Sequence, residues 1–143
     1  MYKKILYCSD GSKNSMCAQR EAFKLAGECG ARLYVMRVVS LTDEFEALAP
    51  GLTDKLIDQA RDNVAAIVAE AKAAGVEAEG VVKDGEPHEK ILEVAKEVGV
   101  DAIMLGTHGR KGFMTTVMGS VTRRVIAEAF VPVIVVHSKY CAI

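Results

Sequence analysis

A chain of 143 residues is long enough for one domain with a buried core and leaves little over for a second. Half of its residues are apolar and 26% are charged, with 18 Lys and Arg set against 19 Asp and Glu, a balance that excludes a disordered or fibrous chain. The formal net charge of −1 supplies no general field for nucleic acid or anionic lipid, so any anion must be held by local geometry.

The first apolar run, Lys3 to Ser9, reads as a short strand closed by the turn formers Asp10-Gly11-Ser12. It is too short for the apolar core of a secretory signal. No stretch nears the ~20 apolar residues of a membrane span. A cytoplasmic protein is expected, with no membrane or nucleic-acid partner. Cys8, Cys17, Cys29 and Cys141 show no Cys-x-x-Cys spacing, which predicts ordinary reduced thiols and no zinc or redox motif.

From Ser12 to Cys29, Ala18, Ala22, Leu25, Ala26 and Cys29 recur at helical spacing until Gly30 stops them. Arg32 to Val39 is the second strand. Ser40 to Leu52 lacks periodicity, contains Pro50-Gly51 and reads as a loop. Thr53 to Ala74 is the clearest helix, with Leu56, Ala60, Val64, Ile67 and Ala71 in one stripe before Gly75. Val76 to Lys83 is a third strand, and Asp84-Gly85-Glu86-Pro87 turns the chain. Pro87 suits the first turn of a helix that points Ile91, Leu92, Ala95 and Val98 inward and ends at Gly99. Asp101 to Leu105 is a fourth strand. A loop from Gly106 to Met118 leads into a helix over Ser120 to Ala129 and a last strand over Pro132 to His137.

Strict β-α alternation predicts parallel strands joined by right-handed crossovers with helices on both faces. The apolar strands agree, because strands covered on both sides read as continuous hydrophobic runs. The expected fold is a three-layer, Rossmann-like α/β domain over residues 1–143, with a five-stranded parallel sheet. In the order 3-2-1-4-5 the sequence reverses direction between strands one and four, and ligands of such sheets sit beyond the strand ends at that point. Strand one ends at Ser9-Asp10-Gly11 and strand four at Gly106-Thr107-His108-Gly109, the two most ligand-like loops in the chain.

Gly106 lets the backbone turn off its strand, and Gly109 lets main chain approach a ligand with no Cβ between. Gly119-Ser120 opens the last helix, where the amides of Ser120, Val121 and Thr122 lack intrahelical acceptors and the dipole favours an anion. The Ser120 and Thr122 hydroxyls can add bonds to phosphate oxygens, and Arg110 and Lys111 can neutralise charge. His108, between two of the glycines, can donate to phosphate or act as acid or base. An imidazole that only faces solvent is an equal alternative. A plainer reading of the whole loop has its glycines ending a strand and opening a helix, with Ser120 a simple N-cap and Asp10 a turn residue. No Gly-x4-Gly-Lys-[Ser/Thr] run is present, which excludes a Walker loop.

The spacing Gly106-x2-Gly109-x9-Gly119-Ser120 resembles the ATP-binding signature of the universal stress protein family. The resemblance extends to the opening Lys-Ile-Leu-Tyr-Cys-Ser-Asp-Gly-Ser, the Gly-x-Pro-His turn at Gly85 to His88, and Pro-Val-Ile-Val-Val near the end. It implies a five-stranded Rossmann-like fold, ATP in the crevice and a homodimer through the last strand, Val131 to Val136. It also implies that Asp10 binds ribose and Val38 packs on adenine. Gly106 and Gly109 would then pass the ribose and phosphates, and Gly119, Ser120, Val121 and Thr122 would hold the phosphates. Cys8 departs from the pattern, standing where many relatives have proline; Ser9 is a milder departure.

The expected function is therefore an ATP-binding regulatory or stress-response protein, with ATP accompanied by Mg2+ or Mn2+ and hydrolysis slow at most. Asp10 is the one obvious carboxylate near the crevice, thin equipment for phosphoryl transfer. Two other classes stay open: a genuine ATPase or phosphotransferase using Asp10, a metal ion and His108, and a structural dimer that nucleotide merely stabilises.

Overall fold

The computed structural model describes residues 1–10, 15–40, 47–107 and 119–137. Its elements are β1 (Lys4–Cys8), α1 (Met16–Cys29), β2 (Arg32–Val39), α2 (Leu52–Ala73), β3 (Ala78–Asp84), α3 (Pro87–Val98), β4 (Ala102–Gly106), α4 (Ser120–Glu128) and β5 (Val133–Val136). The strands form one parallel sheet in the order β3-β2-β1-β4-β5, the expected order.

The element limits follow from where backbone groups find partners. Gly30 and Gly99 end α1 and α3 in the left-handed region, at φ 65° and 74°. β3 starts at Ala78, not at Val76, because the Val76 amide closes α2 on the Ala71 carbonyl at 2.9 Å and cannot join a ladder. α1 starts at Met16, later than the expected Ser12; residues 11–14 lie outside the described residues. Residues 47 and 48 are helical, which shortens the expected loop between β2 and α2; 41–46 are outside the described residues.

Period-2 alternation divides the strand side chains between two cores. Ile5, Tyr7, Leu33, Val35 and Met104 meet Ala18 and Ala22 of α1 and Val64, Ile67 and Ala71 of α2. Leu6, Tyr34, Met36, Ile103 and Leu105 face the other way, against Ile91, Val94 and Ala95 of α3 and Val125 of α4. The predicted helix stripes hold at their centres. Leu56, Leu25 and Leu92 lie at their margins and are half-buried, while Val94 is buried without having been expected.

Cys8 and Cys29 are free thiols, as expected, but Cys17 is disulfide-bonded, to a partner outside the described residues. This corrects the expectation of reduced thiols throughout; such pairing depends on which distant segments the fold brings together, and no local spacing announces it. Among the described residues no helix is long and apolar enough to cross a membrane.

Candidate functional site

The crevice begins where β1 and β4 lie side by side, with Ile5, Leu6 and Tyr7 in register with Ala102, Ile103 and Met104. The helices that follow these strands, α1 and α4, pack on opposite faces of the sheet, the arrangement that places a ligand crevice at the strand ends in doubly wound folds. Beyond β1 the backbone keeps its pairing for one more residue, the Ser9 amide donating to the Met36 carbonyl at 2.8 Å. That bond sets the following Asp10, half-buried, beside the end of β2, where Val38 is also half-buried. Two of the candidate residues are thus brought to one wall.

The floor beneath Asp10 is a small polar network. The Tyr7 hydroxyl donates to the Ser15 carbonyl at 2.8 Å, and the Ser9 and Ser15 hydroxyls approach to 3.5 Å. Desolvation is the main reason the Tyr7 phenol is pushed up to about 12, with hydrogen bonds to Ser15 and Ser9 pulling the other way. Desolvation raises the neighbouring, half-buried Cys8 thiol above the ordinary thiol range. Nothing in the chain pattern marked Ser15 or the Tyr7 hydroxyl as part of this region.

On the opposite wall, β4 and α4 are stapled together. Gly106, the last residue of β4, offers its carbonyl to the Thr122 hydroxyl at 2.9 Å. The next residue, Thr107, is buried and bonded on both sides: its amide donates to Val136 at 3.1 Å and its carbonyl accepts from Gly119 at 2.7 Å. Thr107 was missed from the sequence, since its contribution is backbone pairing that any residue type can make. These bonds hold the start of α4 against the strand end.

Gly119 is the N-cap of α4, extended at φ −62° and ψ 156°, and has no side chain with which to cap the helix. Its carbonyl accepts the Arg123 amide at 3.1 Å, the first regular turn. The amides of Ser120, Val121 and Thr122 precede that turn and have no acceptor within the helix. Ser120 is exposed, Val121 half-buried and Thr122 buried. The Thr122 hydroxyl is committed to Gly106, so Thr122 serves chiefly as a staple and through its amide. Three amides at a dipole's positive end, uncapped by a side chain, form a cradle for a phosphate-type oxyanion.

Of the remaining candidates, His108, Gly109 and Arg110, together with Lys111, lie outside the described residues. No group of three or more His, Cys, Asp or Glu suited to a metal ion occurs among the described residues. His88, the last residue of the Gly-x-Pro-His turn, is the second residue of α3, and its ring lies between the carboxylates of Glu86 and Glu128.

Together these features define a doubly wound α/β protein with an uncapped helix start at its switch point. The chain belongs to the universal stress protein family, whose family model matches residues 1–137. It is similar to universal stress protein MJ0577 of Methanocaldococcus jannaschii, at 32% identity over 97% of both chains. It is also 34% identical to universal stress protein YxiE of Bacillus subtilis, over 96% of this chain and 100% of that one. The solved structure of MJ0577 superposes with a TM-score of 0.86, at 30% identity over 96% of both chains. A universal stress protein in complex with cAMP superposes at 0.71, with 25% identity over 96% of this chain and 98% of that one. The universal stress protein of Archaeoglobus fulgidus in complex with dAMP superposes at 0.66, with 27% identity over 94% of this chain and 97% of that one.

Proposed function

We propose that this protein is a cytoplasmic, ATP-binding regulatory member of its family, one domain that binds the nucleotide in the β1–β4 crevice. The observation that carries the reading is the start of α4, a side-chain-free N-cap with three amides lacking intrahelical acceptors, held at the sheet's switch point. Family members of the same fold bound to cAMP and dAMP support an adenine nucleotide as the occupant.

In this reading Asp10 holds the ribose hydroxyls and Val38 supplies an apolar surface for the base. Gly106 and Gly109 pass the sugar and phosphates without a Cβ in the way. Gly119, Ser120, Val121 and Thr122 hold the phosphates, with His108 and Arg110 adding a donor and a charge. Mg2+ or Mn2+ would enter with the nucleotide, held mainly by its phosphates. The chemistry assigned is binding, with hydrolysis slow at most, because Asp10 is the one obvious carboxylate that the sequence places near the crevice. Occupancy would reshape the segment 110–118 and so present a surface to a protein partner.

The test is to denature the freshly purified protein and identify released nucleotide by chromatography and mass spectrometry, beside Gly119→Val/Ser120→Ala. The expected result is ATP or ADP near one per chain in wild type and its loss in the variant. Wild type that is empty and fails to bind added ATP overturns the reading. Turnover with added Mg2+ that vanishes in Asp10→Ala while binding persists would replace the regulatory reading with the enzymatic one.

A further inference from the structure

α4 is short and lightly anchored. It has nine residues, of which Thr122 and Val125 are buried, so the core supplies little to fix its placement. Thr122 pins its first turn to Gly106. Its second half meets a different feature, a line of polar side chains across the gap between α4 and the β3–α3 turn.

In that line Glu128 Oε2 lies 3.7 Å from His88 Nε2, and His88 Nδ1 lies 3.1 Å from Glu86 Oε1. The same Glu86 oxygen lies 3.6 Å from Arg124 Nη1. Arg124 and Glu128 are four apart on α4, so one helix face is gripped at both ends of a single turn. The His88 side chain is only 14% exposed, which makes it the sheltered centre of the line, while its partners reach solvent. The turn that carries Glu86 is itself fixed, since the Gly85 amide donates to the Val39 carbonyl at 3.0 Å. Val39 follows Val38, on the wall assigned to the base.

We propose that the line Glu128–His88–Glu86–Arg124 is a positioning device that sets nucleotide affinity by holding α4 in place relative to β2. The proposal rests on the nucleotide reading above. It joins the two walls of the crevice: one end is tied through Gly85 to the strand beside the base, the other to the helix whose amides face the phosphates. As a source of stability alone, such exposed pairs contribute little. Their effect on a ligand is larger because the amides of α4 bind well only when their directions converge.

The experiment measures the ATP dissociation constant by calorimetry on protein stripped of nucleotide, with the thermal midpoint of the empty protein recorded alongside. The proteins are wild type, Glu86→Arg, Arg124→Glu, the double swap Glu86→Arg/Arg124→Glu, and Gly119→Val/Ser120→Ala as the site control. The expected result is a Kd raised about 3- to 10-fold by each single reversal and partly recovered by the double swap, which remakes the pair across the gap but not the contact with His88. The midpoints should stay within a few degrees of wild type.

Singles that bind like wild type, or a double swap that fails to recover, overturn the positioning role while leaving the nucleotide reading intact. Wild type that binds no ATP overturns both. Should a reversal melt early, the neutral Arg124→Gln decides the matter: a Kd within about twofold of wild type overturns the proposal.

Discussion

Tyr7 shows how much a single side chain can contribute beneath a binding site. Its ring fills the core between β1 and α1, and its hydroxyl satisfies the buried Ser15 carbonyl. With the phenol pushed up to about 12, the folded state prefers the neutral form. That preference is fully present below about pH 10, the ordinary tyrosine value, and is lost as pH rises from there through 12. Chemical denaturation at pH 8 and pH 12 should therefore show a smaller alkaline loss in Tyr7→Phe than in wild type, by on the order of 2 kcal/mol. At neutral pH the same variant should be less stable by about 1 kcal/mol or more, because the Ser15 carbonyl loses its donor. Equal alkaline losses in both proteins would contradict the assigned cause. Thr122 offers a comparable test at the other wall. Thr122→Val keeps the shape and removes the hydroxyl bonded to Gly106, so a loss of about 1 kcal/mol is expected, with weakened nucleotide binding.

At the level of elements, the close approach of α2 to β3 depends on Gly80. A Cβ built there would sit 2.5 Å from Val64 Cγ1, a branch held in the core and without freedom to swing away. Gly80→Ala should cost about 1–3 kcal/mol in a denaturation experiment, by overpacking between helix and edge strand. Restoring stability with Val64→Ala in the same chain would confirm that the two groups collide. The opposite edge of the sheet is arranged differently. The Pro132 and Val136 carbonyls accept from Ile103 of β4 and from Thr107 just beyond it, so backbone groups of the alternate residues Val133 and Val135 face away from β4. The edge is apolar, and Phe130, just before it, is 56% exposed. Such an edge invites pairing with a second copy of the chain about a two-fold axis. Val135→Pro removes an outward amide without taking a bond from β4, so light scattering should find the wild type dimeric and this variant monomeric. A variant that remains dimeric would place the interface elsewhere.

For the whole molecule, nucleotide occupancy and fold stability are linked by mass action. ATP at about 100 times its dissociation constant should raise the unfolding free energy by about 2.7 kcal/mol, as seen in thermal or urea denaturation. No shift for wild type under conditions where calorimetry detects binding would mean that ATP binds the unfolded chain as well. The alternation of short apolar runs and amphipathic helices was enough to expect the parallel three-layer fold and, through the switch-point rule, the end of the sheet where a ligand belongs. The expectation of the fold succeeds because periodicity and turn chemistry are local properties that the finished fold preserves, as at Gly30, Pro87 and Gly99. The glycine spacing around Gly106 and Gly119 was legible for the same reason.

Other features depend on which distant residues the fold brings together. The Ser9 amide reaches Met36 only after β1 and β2 have paired, and Thr107 bridges Val136 and Gly119 only once β5 has returned to the sheet. His88 gave no sign in the sequence beyond its place after Pro87, yet the packing of α3 beside α4 seats its ring between Glu86 and Glu128. Cys17 likewise looked like any core residue of a helix until the folded chain paired it. The sequence by itself determined the elements and their order, because spacing and residue type carry that information. Tertiary structure alone decided the polar staples and charge pairs that fix those elements, because they depend on distances across strands and helices that no local pattern records.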